Sequence, residues 1–260
     1  EDQESTEDIA AAAADEGVTE AALREAETRL GYRATPECVA ELGNVLRRGN
    51  DVVALAGEGS GKELLYALAA AERSDPGSPA VQALVVCPTP EAAGRAGRAL
   101  HLLGADRGLA ALTWLPWREA RGEDQPPFAQ LLAGRPAELL PQVQAGRLKL
   151  ADLEVLAVDG VSAIEDTGGW PAVEALLDTL PSDVQKILTD VRRGDRLDGL
   201  LKHRVSRAKK WPAELFAPGA GREEQEGTNP LLWAAGSGEE ERLDRLAETL
   251  HQAAAESDEV

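Results

Sequence analysis

The chain is short of several things, and each shortage narrows what it is. It has no methionine among 260 residues, so residue 1 is not a natural start and the expectation is a piece of a longer protein. Aromatic residues make up only 3%, which leaves Ala, Leu and Val to fill any core. Two cysteines, Cys38 and Cys87, are too few for a disulfide framework and suit buried thiols in a reducing cytoplasm. The three histidines are scattered, and no Cys/His cluster has metal-ligand spacing. No apolar run reaches the ~18 residues of a membrane span, so no membrane partner is expected. The opening stretch EDQESTEDIA is acidic and polar, unlike a secretory leader.

Acid is abundant instead, and it is unevenly spread. The formal net charge is −19. Residues 1–30 hold ten acids and two bases, and residues 222–260 hold eleven acids and three bases. Residues 31–221 are therefore nearly balanced. Acidic ends of this kind act as solubilising faces or tails, and nucleic-acid binding wants a basic footprint. One stretch leans the other way: RRGDRLDGLLKHRVSRAKK (192–210) has eight Lys/Arg against two acids. It suits either an acidic partner, nucleic acid or this chain's own ends included, or a solvated helix face whose leucines pack inward. Trp211 beside it reads as packing, because a lone aromatic is no stacking platform.

The apolar pattern gives the organisation. Residues 5–30 are rich in Ala and Glu and read as helical, with Ser5 or Thr6 and then Thr19 as caps. Short apolar runs follow at 51–57, 81–87, 109–115, 128–134, 153–160 and 184–190, alternating with helical patterns such as 61–72, 90–104 and 169–180. Apolar strands alternating with helices predict an α/β fold, a parallel sheet sandwiched by helices. Ligands bind such sheets beyond the carboxyl ends of the strands. Gly59-Ser60-Gly61-Lys62, Pro88-Thr89 and Asp159 all fall at ends of that kind.

AGEGSGKE (56–63) is the main chemical signal. A phosphate loop turns successive backbone N–H groups toward an anion and adds the positive end of the following helix. Glycines allow the turn, a lysine reaches the outer phosphates, and a Ser or Thr after it holds magnesium. Glu58, Gly59, Ser60, Gly61 and Lys62 are thus candidates for holding ATP. Glu63 stands where the hydroxyl belongs. It either sits near a bound metal or simply favours the first helical turn, where a carboxylate is welcome. Asp159 closes the strand VLAVD and is the candidate Mg²⁺ ligand; the alternative is a strand-end turn residue before Gly160. Gly160, Val161 and Ser162 offer no base for hydrolysis.

Taken in order, these segments resemble the N-terminal RecA-like domain of DEAD/DEAH-box RNA helicases. Residues 31–63 resemble that family's Q motif followed by motif I, with Thr35-Pro36, Ala56, Gly59, Gly61 and Lys62 matching. LVVCPTPEA (84–92) is similar to motif Ia, LLAGRPAELL (131–140) to the G-T-P-G-R segment, and LEVLAVDGVSAI (153–164) to the V-L-D-E-A-D segment. The stretch 168–191 resembles the approach to motif III. The departures are systematic. Cys38 stands for the adenine-reading Gln, and Glu58 and Glu63 for the motif I threonines. Gly160 replaces the family's catalytic Glu and Ser162 its closing Asp. Pro90 and Glu138 replace two arginines that hold RNA phosphates, and Thr189-Asp190-Val191 is all that remains of motif III.

The resemblance implies a RecA-like domain over 31–215, an acidic helical extension over 1–30 and a linker over 216–237. The amphipathic stretch 238–260, with Leu243, Leu246 and Leu250 on one face, then either opens a second RecA-like domain or forms an acidic helical tail. The expected function is a degenerate helicase-like domain with weak or no ATP hydrolysis, a scaffold or nucleotide-binding module in the cytoplasm. ATP and Mg²⁺ are the implied cofactors, a second domain or a protein the partner, and nucleic-acid binding is weak or absent. The alternative is a divergent active helicase completed by its second domain.

Overall fold

The computed structural model describes residues 18–57, 59–114 and 129–217. The expected cap at Ser5 or Thr6, Glu58, most of the expected linker and the amphipathic stretch 238–260 lie outside them.

The apolar runs become strands β1 (Val52–Leu55), β2 (Ala83–Val86), β3 (Ala111–Thr113), β4 (Leu131–Gly134), β5 (Val155–Asp159) and β6 (Gln185–Asp190). A seventh, β7 (Lys209–Trp211), completes one sheet in the order β3-β4-β2-β5-β6-β1-β7, every neighbouring pair parallel. The helices are α1 (Glu20–Arg29), α2 (Glu37–Arg47), α3 (Lys62–Arg73), α4 (Pro90–Ala105), α5 (Pro136–Gln144), α6 (Val161–Asp166), α7 (Trp170–Leu177) and α8 (Asp195–His203). Thr19 caps α1, its hydroxyl accepting from the Ala22 N–H at 3.1 Å. Thr89 does the same for α4 through Ala92, with Pro90 at the first helical position, where its missing N–H costs nothing.

Side chains alternate across each strand, and the core divides accordingly. Val52, Ala54, Ala83, Val85, Ala133 and Ala157 face α1 to α4, while Val53, Leu55, Leu84, Val86, Leu156 and Val158 face α5 to α8. The first face is rich in alanine, which answers the shortage of aromatics: small residues let helices approach closely, and the fully buried Tyr66 is the large filler. Gly104 of α4 shows how close: a Cβ there would lie 2.7 Å from Leu131 Cδ1.

Two elements correct the sequence reading. β7 lies inside the basic stretch, whose helix, α8, ends at His203. It is an edge strand of three residues with the polar sequence KKW, so it has no apolar run to announce it. It exists because its backbone pairs with β1, Val52 opposite Lys209 and Ala54 opposite Trp211. The short α6 was not anticipated either; Val161 and Ile164 fix it by burial under the sheet. Arg192, Arg193, Arg196 and Arg204 of the basic stretch reach Asp166, Asp198, Glu165 with Glu174, and Asp178 respectively, while Leu197, Leu200 and Leu201 turn inward. The indole N–H of Trp211 donates to Glu41 Oε2 at 3.1 Å.

Candidate functional site

The loop after β1 returns on itself before α3 begins. Gly59 (φ 76°) and Gly61 (φ 86°) take the left-handed conformation that a side chain disfavours. At Gly61 the requirement is double, because a Cβ would lie 2.4 Å from Pro36 Cβ. The Thr35-Pro36 segment thus presses on the loop, and Cys38, two residues on, donates its S–H to Ser60 O at 3.1 Å. Burial pushes the Cys38 thiol up to about 12, so it stays a protonated donor. The Ser60 hydroxyl donates to Gly57 O at 2.6 Å.

α3 starts at Lys62 and points its first turn into the site. Lys62 is 7% exposed and its Nζ lies 2.7 Å from Asp159 Oδ1. Burial acts to lower the Lys62 pKa, but the Asp159 carboxylate outweighs it and the ammonium is held more firmly than usual. Asp159, at the end of β5, is 2% exposed. It also accepts from the Thr189 hydroxyl at 2.9 Å and, more distantly, from the Tyr66 hydroxyl at 3.4 Å. Strand β1 lies beside β6 and β6 beside β5, so these three strand ends bring Lys62, Asp159 and Thr189 together.

Glu63 is buried in the same turn, 8% exposed. Its Oε1 is 3.6 Å from Arg95 Nε on α4, and its Oε2 is buried with no hydrogen-bond partner. Burial raises the Glu63 pKa, Lys62 opposes the rise and Asp159 adds to it. The Tyr32 phenol is likewise pushed up to about 12 by burial and by Glu63.

Gly160 follows Asp159 at φ 81° and precedes α6. Ser162 donates its hydroxyl to Asp190 Oδ1 at 2.5 Å and its N–H to Asp190 Oδ2 at 2.8 Å, joining α6 to the end of β6. Burial raises the Asp190 pKa against these hydrogen bonds. Glu138, in the first turn of α5, is paired through both carboxylate oxygens with Arg135. Pro90 offers no donor. Among the described residues no group of three or more His, Cys, Asp or Glu is placed to hold a metal, and no helix is long and apolar enough to cross a membrane.

The expected residues Gly59, Ser60, Gly61, Lys62, Glu63 and Asp159 therefore converge, and Glu58 lies outside the described residues. Sequence reasoning missed Tyr66, Arg95 and the role of Thr189. Tyr66 had a signal, four residues after Lys62 on the same helix face. Arg95 had none.

The family model for the DEAD/DEAH box helicase matches residues 38–189. The chain belongs to the DEAD/DEAH box helicase family. It is 25% identical over 170 residues to the DEAD-box ATP-dependent RNA helicase CshA of Bacillus subtilis, covering 64% of this chain and 34% of that one. It is 28% identical over 169 residues to ATP-dependent RNA helicase CshA of Limosilactobacillus reuteri, again 64% and 34%. The chain thus spans about a third of the length of the curated relatives it matches. Among solved structures, a DEAD box protein from Methanococcus jannaschii superposes with a TM-score of 0.64 at 18% identity, over 75% of this chain and 54% of that one. Saccharomyces cerevisiae Dbp5 bound to Gle1 and IP6 gives 0.65 at 18% identity, over 73% and 49%. At that identity the likeness establishes the fold, a RecA-like parallel sheet between helices.

Proposed function

We propose that this chain is a degenerate helicase domain that hydrolyses little or no ATP and serves as a scaffold or nucleotide-binding module beside a second RecA-like domain or another protein. The observation that carries the reading is the end of β5. Asp159 is engaged by Lys62, Thr189 and Tyr66, and the residue after it is a glycine in a left-handed conformation. Val161 is buried apolar and Ser162 is bound to Asp190, so neither of these residues after Gly160 is free to orient an attacking water.

ATP and Mg²⁺ are the cofactors the family implies. The glycine backbone, the start of α3 and Lys62 fit a phosphate group. Asp159 would hold a magnesium ion, which would neutralise phosphate charge there, by exchanging its contact with Lys62. Glu63 opposes a triphosphate. The reading also has RNA held weakly or not at all, because Arg135 is neutralised by Glu138 and Pro90 supplies no charge. Cys38 and Cys87, buried free thiols, suit a reducing cytoplasm. A second reading, a divergent active helicase completed by its second domain, draws on the convergence of the glycine loop, Lys62 and Asp159.

The test is phosphate release from Mg·ATP by the full chain, with and without RNA. The expected result is no release above background. Release that disappears in Lys62→Ala establishes the second reading instead. A thermal shift with Mg·ADP measures binding separately; a ligand at 100 times its Kd adds about 2.7 kcal/mol of stability.

A further inference from the structure

Glu63 is more than a missing hydroxyl. A carboxylate in the first turn of a helix gains from the helix dipole even when it is exposed to water. This one is buried, with one oxygen 3.6 Å from Arg95 Nε and the other lacking any partner. Burial without full pairing is unfavourable, so the placement is not explained by helix stability alone. Among the described residues the charges around the loop also cancel. Lys62 and Arg95 supply two positive charges, Glu63 and Asp159 two negative ones. A phosphate site works by the reverse arrangement, an excess of positive charge and unpaired N–H groups facing an anion.

Resting on the reading above, we propose that Glu63 is a built-in anion. With Arg95 as a counter-ion from α4, it takes the electrostatic place of a bound phosphate at the start of α3, and it lowers this site's affinity for nucleoside phosphates. An incoming phosphate draws Lys62 away from Asp159, and both carboxylates then face the ligand. Glu63 is the one that differs from a phosphate loop's needs, because Asp159 has Thr189 and Tyr66 as further donors. Lys62 and Arg95 are the two cations that offset buried Glu63, so either one lends its charge to the ligand only at the expense of Glu63.

The test compares Mg·ADP binding by the full chain, the isosteric Glu63→Gln and Glu63→Thr, using calorimetry or thermal shift. Glu63→Gln removes the charge without adding a metal-binding hydroxyl. It is expected to bind Mg·ADP at least about tenfold more tightly than the natural chain, the equivalent of ~1.4 kcal/mol. Glu63→Thr is expected to bind at least as tightly as Glu63→Gln, and adding Lys62→Ala to either is expected to abolish the gain. Equal affinity of the natural chain and Glu63→Gln overturns the proposal. So does a gain confined to Glu63→Thr, which would assign the effect to the hydroxyl rather than the charge. ATP hydrolysis by the natural chain overturns the reading of β5 instead and leaves this comparison of affinities to be judged on its own.

Discussion

The charges at the carboxyl ends of β1, β5 and β6 are few and buried, while those along α6, α7 and α8 are many and exposed. In the first group, Lys62 and Asp159 are 9% and 2% exposed in their side chains and meet at 2.7 Å. In the second, Arg196 bridges Glu165 and Glu174, and Arg204 bridges Asp178, with side chains 38–63% exposed. The difference is one of solvent. Water and salt screen the outer pairs, which gain little beyond what the separated charges already have. The inner pair has lost its hydration, so each member depends on the other. Counting ion pairs would therefore give the wrong weight to both regions.

Five variants probe that contrast, from the largest effect to the smallest. Lys62→Ala leaves Asp159 buried with only hydroxyl donors, and urea unfolding should show a loss of about 3 kcal/mol. A Lys62→Met, Asp159→Val double variant should lose less than the two single changes together; strict additivity would mean the pair is not coupled. Gly61→Ala combines a left-handed backbone with a clash against Pro36, and a loss of about 2 kcal/mol is expected in the same measurement. A loss no greater than for an exposed alanine elsewhere would mean the Pro36 segment simply moves aside.

Glu63→Gln tests the buried carboxylate through pH. The folded Glu63 pKa is raised by burial, so the folded chain holds that proton to higher pH than the unfolded chain does. Stability from this group is therefore lost as pH rises from the ordinary glutamate range through the raised value. Glutamine does not titrate, so the midpoint of thermal unfolding of Glu63→Gln should move above the natural chain's as pH goes from 5 to 8. A constant difference across that range would show that Arg95 already compensates the charge. Arg204→Ala is the smallest change, with an expected loss below ~1 kcal/mol that shrinks further in salt. A loss as large as that for Lys62→Ala would erase the distinction between the two regions.

Much of the fold was legible because its strands are buried on both faces. Runs such as VVAL, and the VLAV that precedes Asp159 in β5, are apolar throughout and stand out without any partner being known. β7 was not legible, since KKW has no apolar run and gains its place from partners distant in sequence, backbone pairing with β1 and the contact of Trp211 with Glu41. The same division holds in the site. The glycine loop and Lys62 carry a local signature, because turn geometry and phosphate chemistry both demand particular residues at fixed spacing. Arg95 sits 32 positions beyond Glu63 in a helix with no motif at that point, and nothing local marks it.

The sequence by itself determined the parallel α/β architecture, the loop and its lysine, and the residue types at Cys38, Pro90, Glu138 and Gly160. These are properties of residue type and order. Tertiary structure alone decided what the remaining charges do. Lys62 and Asp159 are 97 positions apart, and their pairing depends on β6 lying between β1 and β5. Whether Glu63 is a helix-favouring surface residue or a buried anion held against Arg95 depends on how α4 packs on α3. Burial and partnership arise between elements distant in sequence, so they become readable only when the chain is folded.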